Sequence, residues 1–472
     1  MSVVAHSIQI LNGPVTVCRF VIAFLAAVTL CGRPGLAQNA QTPTEATTPA
    51  TADEATPTPA ANDGTTAPAT PPNSAAVPVQ EGCAQEIEKQ QALVRSLMNL
   101  QKPIGYPDKA AAEKLRREVG NLIKTGFKGE DTKKVVSYLE YQMLRSTDPS
   151  FATVPSNMQD LQGDVIDTIG LAGNLIGNPQ EQLVARRAYC GEILKIAKQM
   201  LDNNFDARMS AVIIISNLHD VKAVPGGAKA KVYEPAISTL VEVLGSKEQP
   251  DALKATVAGQ LAFLLKTCDV NPQDQFRICD TIAAEMKRDC TEAGYQLNLL
   301  DAALEISQPR KKIGVPEPTA MAVFAAALNS PNKPVEVRCR AAFGIGQGSH
   351  DAEMKLEPLA WKICQLAGEV AIQFNRDVKD PKWQHCGMNL FYSFWHINAN
   401  QRQGTNARGL LNRDPKSKFI ADAAPQIGTV SLFVLQGKSF KAADLQPLAD
   451  LLNASRPANG TWDKNAPAIE VK

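Results

Sequence analysis

The sequence predicts an all-α superhelix of stacked helical hairpins, on three observations. Ile237, Leu240, Val241 and Leu244 fall at i, i+3, i+4 and i+7, one apolar helix stripe, and Gly245 closes it. After Ser-Lys-Glu-Gln-Pro a second stripe follows in Leu253, Val257, Leu261, Leu264 and Leu265. The same two-helix pattern recurs along the middle of the chain, and residues 81–472 are longer than one compact domain usually runs. A hairpin of this kind buries its stripe only against a neighbour on each side, so repetition resolves the length.

In chain order, residues 1–37 combine Arg19, an apolar run from Phe20 to Leu30 and a small-residue exit at Gly35-Leu36-Ala37, the pattern of a secretory signal peptide. The run is shorter than the ~20 residues that span a bilayer. Cys31 follows Val28-Thr29-Leu30, which departs from the order of a lipobox. No second apolar stretch reads as a membrane span. Residues 38–80 are mainly Ala, Thr and Pro, a composition that cannot nucleate a core and predicts a disordered linker: a spacer, glycosylated or not, or an inert leader. Helices are expected at 83–100, 109–124 and 132–144, as an N-terminal cap within 81–178. Hairpins are expected across 179–350, pairing 181–201 with 206–218, 273–288 with 291–306, and 319–328 with 335–345. The β-branched run Val212-Ile213-Ile214-Ile215 reads as buried helix, because its place in a hairpin overrides strand propensity. Helices at 356–375, 384–397, 417–436 and 441–453 complete a C-terminal region, 351–456, before a tail at 457–472.

Asp206-Ala-Arg208 and Glu336-Val-Arg338 both put an acid two residues before an arginine at the start of a second helix. The second lies in Pro-Val-Glu-Val-Arg-Cys-Arg-Ala-Ala-Phe-Gly-Ile-Gly at 334–346, after the turn Asn-Ser-Pro-Asn-Lys-Pro at 329–334. Lys254 holds the basic position between them, at separations of 46 and 84 residues, which fits a period of 42–46 with one divergent repeat. This resembles the HEAT-repeat signature Asp-x-x-Val-Arg-x-x-Ala, convincingly over 180–350 and loosely at the flanks. The resemblance implies a HEAT-like α-solenoid in which Asp206, Arg208, Glu336 and Arg338 form an inter-repeat ladder. It further implies a non-catalytic surface that holds a protein or peptide.

Lys plus Arg number 49 against 48 Asp plus Glu, a balance that excludes the basic surface nucleic-acid binders use. Arg310-Lys311-Lys312 reads as a solvated loop. From Cys83 onward there are eight cysteines, an even number that favours disulfides in an exported chain. Spacing alone does not choose among the connectivities. Cys268 with Cys279 and Cys364 with Cys386, on neighbouring helices, are the pairs put forward; the alternative is that several are buried small hydrophobes. No Cys-x-x-Cys is present for zinc, thiol exchange or haem attachment.

Gly344-Ile-Gly346-Gln-Gly348 lacks the strand-before-helix setting of a nucleotide loop, and its glycines read as a helix end. His219, His350, His385 and His396 are the histidines beyond the leader. His385 and His396 would sit ~16 Å apart along a continuous helix, too far to share a metal. No hydrolase signature, catalytic residue, metal set or cofactor motif is found. Met388, Phe391, Tyr392 and Trp395 read as a core stripe, leaving Trp383 and Phe394 as candidate binding residues if exposed. The expected function is therefore an exported scaffold, periplasmic, cell-surface or secreted, with a protein or peptide partner. A self-associating envelope component is the second reading. An envelope enzyme built from scattered groups such as His385 and His396 is the third.

Overall fold

The computed structural model describes residues 81–223, 226–288, 290–307, 319–349, 355–396 and 408–455. The signal-peptide, linker and tail expectations, His350 and Arg310-Lys311-Lys312 lie outside them. The described chain is mostly helical, with helices packed in sequential pairs. Its helices are α1 (Glu81–Met98), α2 (Lys109–Thr125), α3 (Glu130–Leu144), α4 (Pro149–Ala152), α5 (Pro155–Leu171), α6 (Pro179–Met200), α7 (Phe205–Ser216), α8 (Glu234–Gly245) and α9 (Asp251–Thr267). There follow α10 (Pro272–Met286), α11 (Ala293–Leu304), α12 (Ala320–Asn329), α13 (Val335–Gln347), α14 (Leu356–Phe374), α15 (Lys382–Phe394), α16 (Leu410–Arg413), α17 (Lys418–Leu435) and α18 (Ala442–Ala454).

Local chemistry starts many of these helices. Asn178, Asn204, Asn271, Thr319 and Ser417 each accept a hydrogen bond from a backbone N–H of the first turn of α6, α7, α10, α12 and α17. Each such cap is worth about 1 kcal/mol. Proline stands at the first or second position of α5, α6, α8 and α10, where its missing N–H leaves no bond unmade.

Two layers result. The odd-numbered helices pack in succession, α5 on α7, then α9, α11, α13, α15 and α17, while α8, α10, α12 and α14 pack in succession beside them. Val212, Ile214 and Ile215 are fully buried in α7, so the β-branched run is helical as expected, held by burial on several sides. Helix α5 was not anticipated: Met158, Leu161, Val165 and Ile169 make only a narrow stripe, with Gly163 between. Also unanticipated is a small sheet of β1 (His219–Val221), β2 (Ala230–Val232) and β3 (Cys268–Asp269), with β1 antiparallel and β3 parallel to β2.

Helix α1 is not simply a member of a terminal cap. Cys83 is disulfide-bonded to Cys290 ahead of α11, Gln90 Oε1 accepts from Asp251 N at the start of α9, and Lys102 O accepts from Asn203 Nδ2 ahead of α7. The segment thus crosses the N-terminal ends of α11, α9 and α7 in reverse order. A helix of this length spans about 27 Å, enough to step over three helices packed 8–10 Å apart. Because the bridge closes a loop across 207 residues of sequence, Cys83→Ser is expected to lower stability by about 2–4 kcal/mol. Chemical denaturation of the parent and the variant would check it.

The expected disulfide partners are corrected. Cys268 and Cys279 are buried as separate thiols, as are Cys364 and Cys386. Cys386, on α15, meets Cys339 of α13 instead of Cys364 on α14. The glycines at 344–348 divide: Gly348 caps the C-terminus of α13 as expected, whereas Gly344 and Gly346 lie inside it, where a Cβ would strike the Phe324 ring and the Ser393 backbone. Close helix approach requires Gly344 and Gly346. Helix α17 has the length and apolarity of a membrane crossing, against the expectation that none existed; here its Ile420, Ala423, Ile427, Val430 and Val434 are buried in the helical array.

Candidate functional site

Among the described residues, the notable concavity is a groove of about 670 Å³ at the C-terminal ends of α5, α7 and α9, completed by the small sheet. Leu171 ends α5 and Phe263 lies on the last turns of α9, and both line the groove while remaining 39% and 41% exposed. Asp167, Ser216, Asn217, His219, Lys222, Thr267 and Cys268 supply its polar groups. The strand carrying His219 is anchored from below: buried Asp220 accepts from Arg187 Nε and Nη2 at 3.0 and 2.6 Å.

His219 Nδ1 lies 2.7 Å from the Asn217 carbonyl. A carbonyl only accepts, so Nδ1 carries the proton and Nε2 keeps its lone pair. Burial lowers the His219 pKa from its ordinary value, so the ring is neutral at pH 7. Burial also pushes the Cys268 thiol up, opposite to what an attacking cysteine needs. The Ser216 hydroxyl is engaged internally, within 2.8 Å of both Ile213 O and Gln260 Oε1. These groups make a largely apolar cleft with a few hydrogen-bonding positions, and no assembled nucleophile and base.

The residues singled out from the sequence stand elsewhere. Trp383 is 2% and Phe394 0% exposed. Trp383 meets Phe374 edge to face at 6.3 Å and donates from Nε1 to Asp377 O at 2.7 Å. Both are core residues, and the expected binding patch is withdrawn. The stripe of α15 that is buried is Trp383, Cys386, Gly387, Leu390, Ser393 and Phe394, whereas Met388 is exposed. Its apolar content sits one phase away from the stripe expected, because small Cys386, Gly387 and Ser393 serve the close contact. Helix α15 ends at Phe394, so His396 lies beyond it and His385 is exposed on it. No group of three or more His, Cys, Asp or Glu side chains among the described residues is placed to hold a metal.

The ladder is also rearranged. Arg208, Lys254, Gln296 and Arg338 are each the fourth residue of a second helix, α7, α9, α11 and α13, at separations of 46, 42 and 42. Gln296 is therefore the divergent repeat. The basic groups do not pair with Asp206 or Glu336. Arg208 Nη1 donates to Gln249 Oε1 at 2.6 Å, Lys254 Nζ to Glu285 at 3.2 Å, and Arg338 Nη2 to Glu369. The partner comes from the turn or first helix of the next unit, because a buried basic group at this position points along the stack. Asp206 is half-buried, and burial raises its pKa.

Phe263 carries a signal in the sequence, since it lies off the apolar stripe Leu253, Val257, Leu261, Leu264 and Leu265 of its helix. His219, Lys222 and Leu171 carried no such signal, since the elements that bring them together were not read. No family model, curated protein or solved structure matches this chain.

Proposed function

We propose that this protein is an exported, HEAT-like repeat scaffold that holds a protein or peptide segment in the groove between Leu171 and Phe263. The observation that carries the reading is the pair of large apolar side chains left exposed in one cleft beside an uncharged His219. Apolar anchors ringed by a few polar groups are the pattern of a peptide-holding pocket. The recurrence of Arg208, Lys254, Gln296 and Arg338 at one helical position supports the HEAT-like plan. The Cys83–Cys290 bridge supports export, as disulfides persist in oxidising compartments. The near-balanced charge favours protein over nucleic acid.

Selection of displayed peptides on the purified protein should enrich sequences with a large apolar anchor. Phe263→Glu is expected to weaken the selected peptide at least about tenfold, or 1.4 kcal/mol, while Leu432→Glu leaves it unchanged. Absence of enrichment, or indifference to Phe263→Glu, would sink the reading. The structural, self-associating alternative is favoured by one feature: α17 leaves Leu432 51% exposed, with Leu435 also exposed. Concentration-dependent association abolished by Leu432→Glu would move the assignment there.

A further inference from the structure

The proposed groove does not use the close backbone contact between α13 and α15, and that contact carries a pair of cysteines. A Cβ on Gly346 of α13 would lie 2.6 Å from Ser393 Cα of α15, so the two backbones touch there. Cys339 precedes Gly346 by seven residues, and Cys386 precedes Ser393 by seven. Seven residues are two turns, about 10 Å along each axis. Between these positions Arg340 Nη1 of α13 donates to Asn389 Oδ1 of α15 at 3.4 Å, and the Cys339 and Cys386 side chains face one another across the same contact. Two contacts in the same register require α13 and α15 to run parallel.

We propose that Cys339 and Cys386 are a second disulfide site, oxidised during folding in the same compartment that forms Cys83–Cys290. In the structure both are thiols, fully buried. Each thiol gives up a proton and the pair gives up two electrons. A disulfide of the compartment, small-molecule or protein, takes them and leaves as two thiols, so the S–H bonds and one external S–S bond break as the new S–S bond forms. Burial holds the Cys339 thiol well above its ordinary pKa once folded, which places the exchange before α15 docks on α13. Two other buried thiols have different neighbours: Cys190 contacts the His219 carbonyl and Cys268 the Thr267 hydroxyl.

The test is a thiol count and peptide map on the full-length protein recovered from an oxidising compartment, denatured in excess maleimide without reductant. Of the eight cysteines from Cys83 onward, four should be alkylated, Cys190, Cys268, Cys279 and Cys364. A peptide containing Cys339 should be linked to one containing Cys386. Alkylation of six, including both of these, would overturn the proposal, as would linkage of either to a different cysteine. The link should survive in a Cys83→Ser, Cys290→Ser double variant, and Cys339→Ser should expose Cys386 to maleimide.

Discussion

Glu285→Ala is expected to destabilise the folded protein by about 3–5 kcal/mol, because it strands a buried lysine. Lys254, 3% exposed, has both Glu285 oxygens within 3.2 Å. The same carboxylate accepts from Arg288 Nη1 and Tyr295 Oη at 2.8 Å, while Arg288 also grips Asp251 with both terminal nitrogens, at 2.7 and 3.0 Å. Burial alone would raise the Glu285 pKa, but hydrogen bonds from Arg288 and Tyr295 and the charge of Lys254 together hold it below the usual carboxylate value. Burial lowers the Lys254 pKa against the pull of Glu285. Removing the carboxylate leaves the first effect on this buried lysine opposed only by the more weakly acting Asp251. Urea denaturation at neutral pH measures the loss; a change below about 1 kcal/mol, the size of an exposed pair, would show the network to be dispensable. The pH dependence has a definite sign. The folded pKa of Glu285 is lowered, so its stabilisation is present above the unfolded carboxylate pKa and disappears as pH falls through the folded value. The Glu285→Ala protein should therefore lose less stability than the parent on acidification.

Phe394→Ala and Trp383→Ala are each expected to lower stability by about 3–5 kcal/mol, the range for a fully buried aromatic. The folded fraction should bind a selected peptide as the parent does. Phe394 is enclosed at the end of α15, where Gly409 packs against its carbonyl, and Trp383 closes the opposite end against Phe374. Loss of peptide binding without a change in melting temperature would return these residues to the surface role their sequence position suggested. Melting curves and binding measured on the same preparations separate the two outcomes.

Much of the fold was legible because a helix encodes its buried face locally. The stripes Ile237, Leu240, Val241, Leu244 and Leu253, Val257, Leu261, Leu264 are buried where the sequence placed them, and Lys254 is buried at the fourth position of its helix, as Arg208 is of α7. Periodicity reports which residues share a face and how long the element runs. It was less certain in α15, where the packed face is made of small residues as well as large ones, and hydrophobicity pointed to the wrong side.

By itself, then, the sequence determined a chain of helical hairpins with a basic residue recurring at 46 and 84 residues, and near-equal numbers of basic and acidic side chains. Only the tertiary structure decided the partners. Arg338 reaches forward to Glu369 instead of to an acid on its own helix, Cys83 finds Cys290 across 207 residues, and Leu171, His219 and Phe263 meet in one groove. The reason is physical: apolar spacing is fixed within one helix, whereas pairing depends on which ends the stack brings together, and α5 and the small sheet that shape the groove are stabilised mainly by that packing.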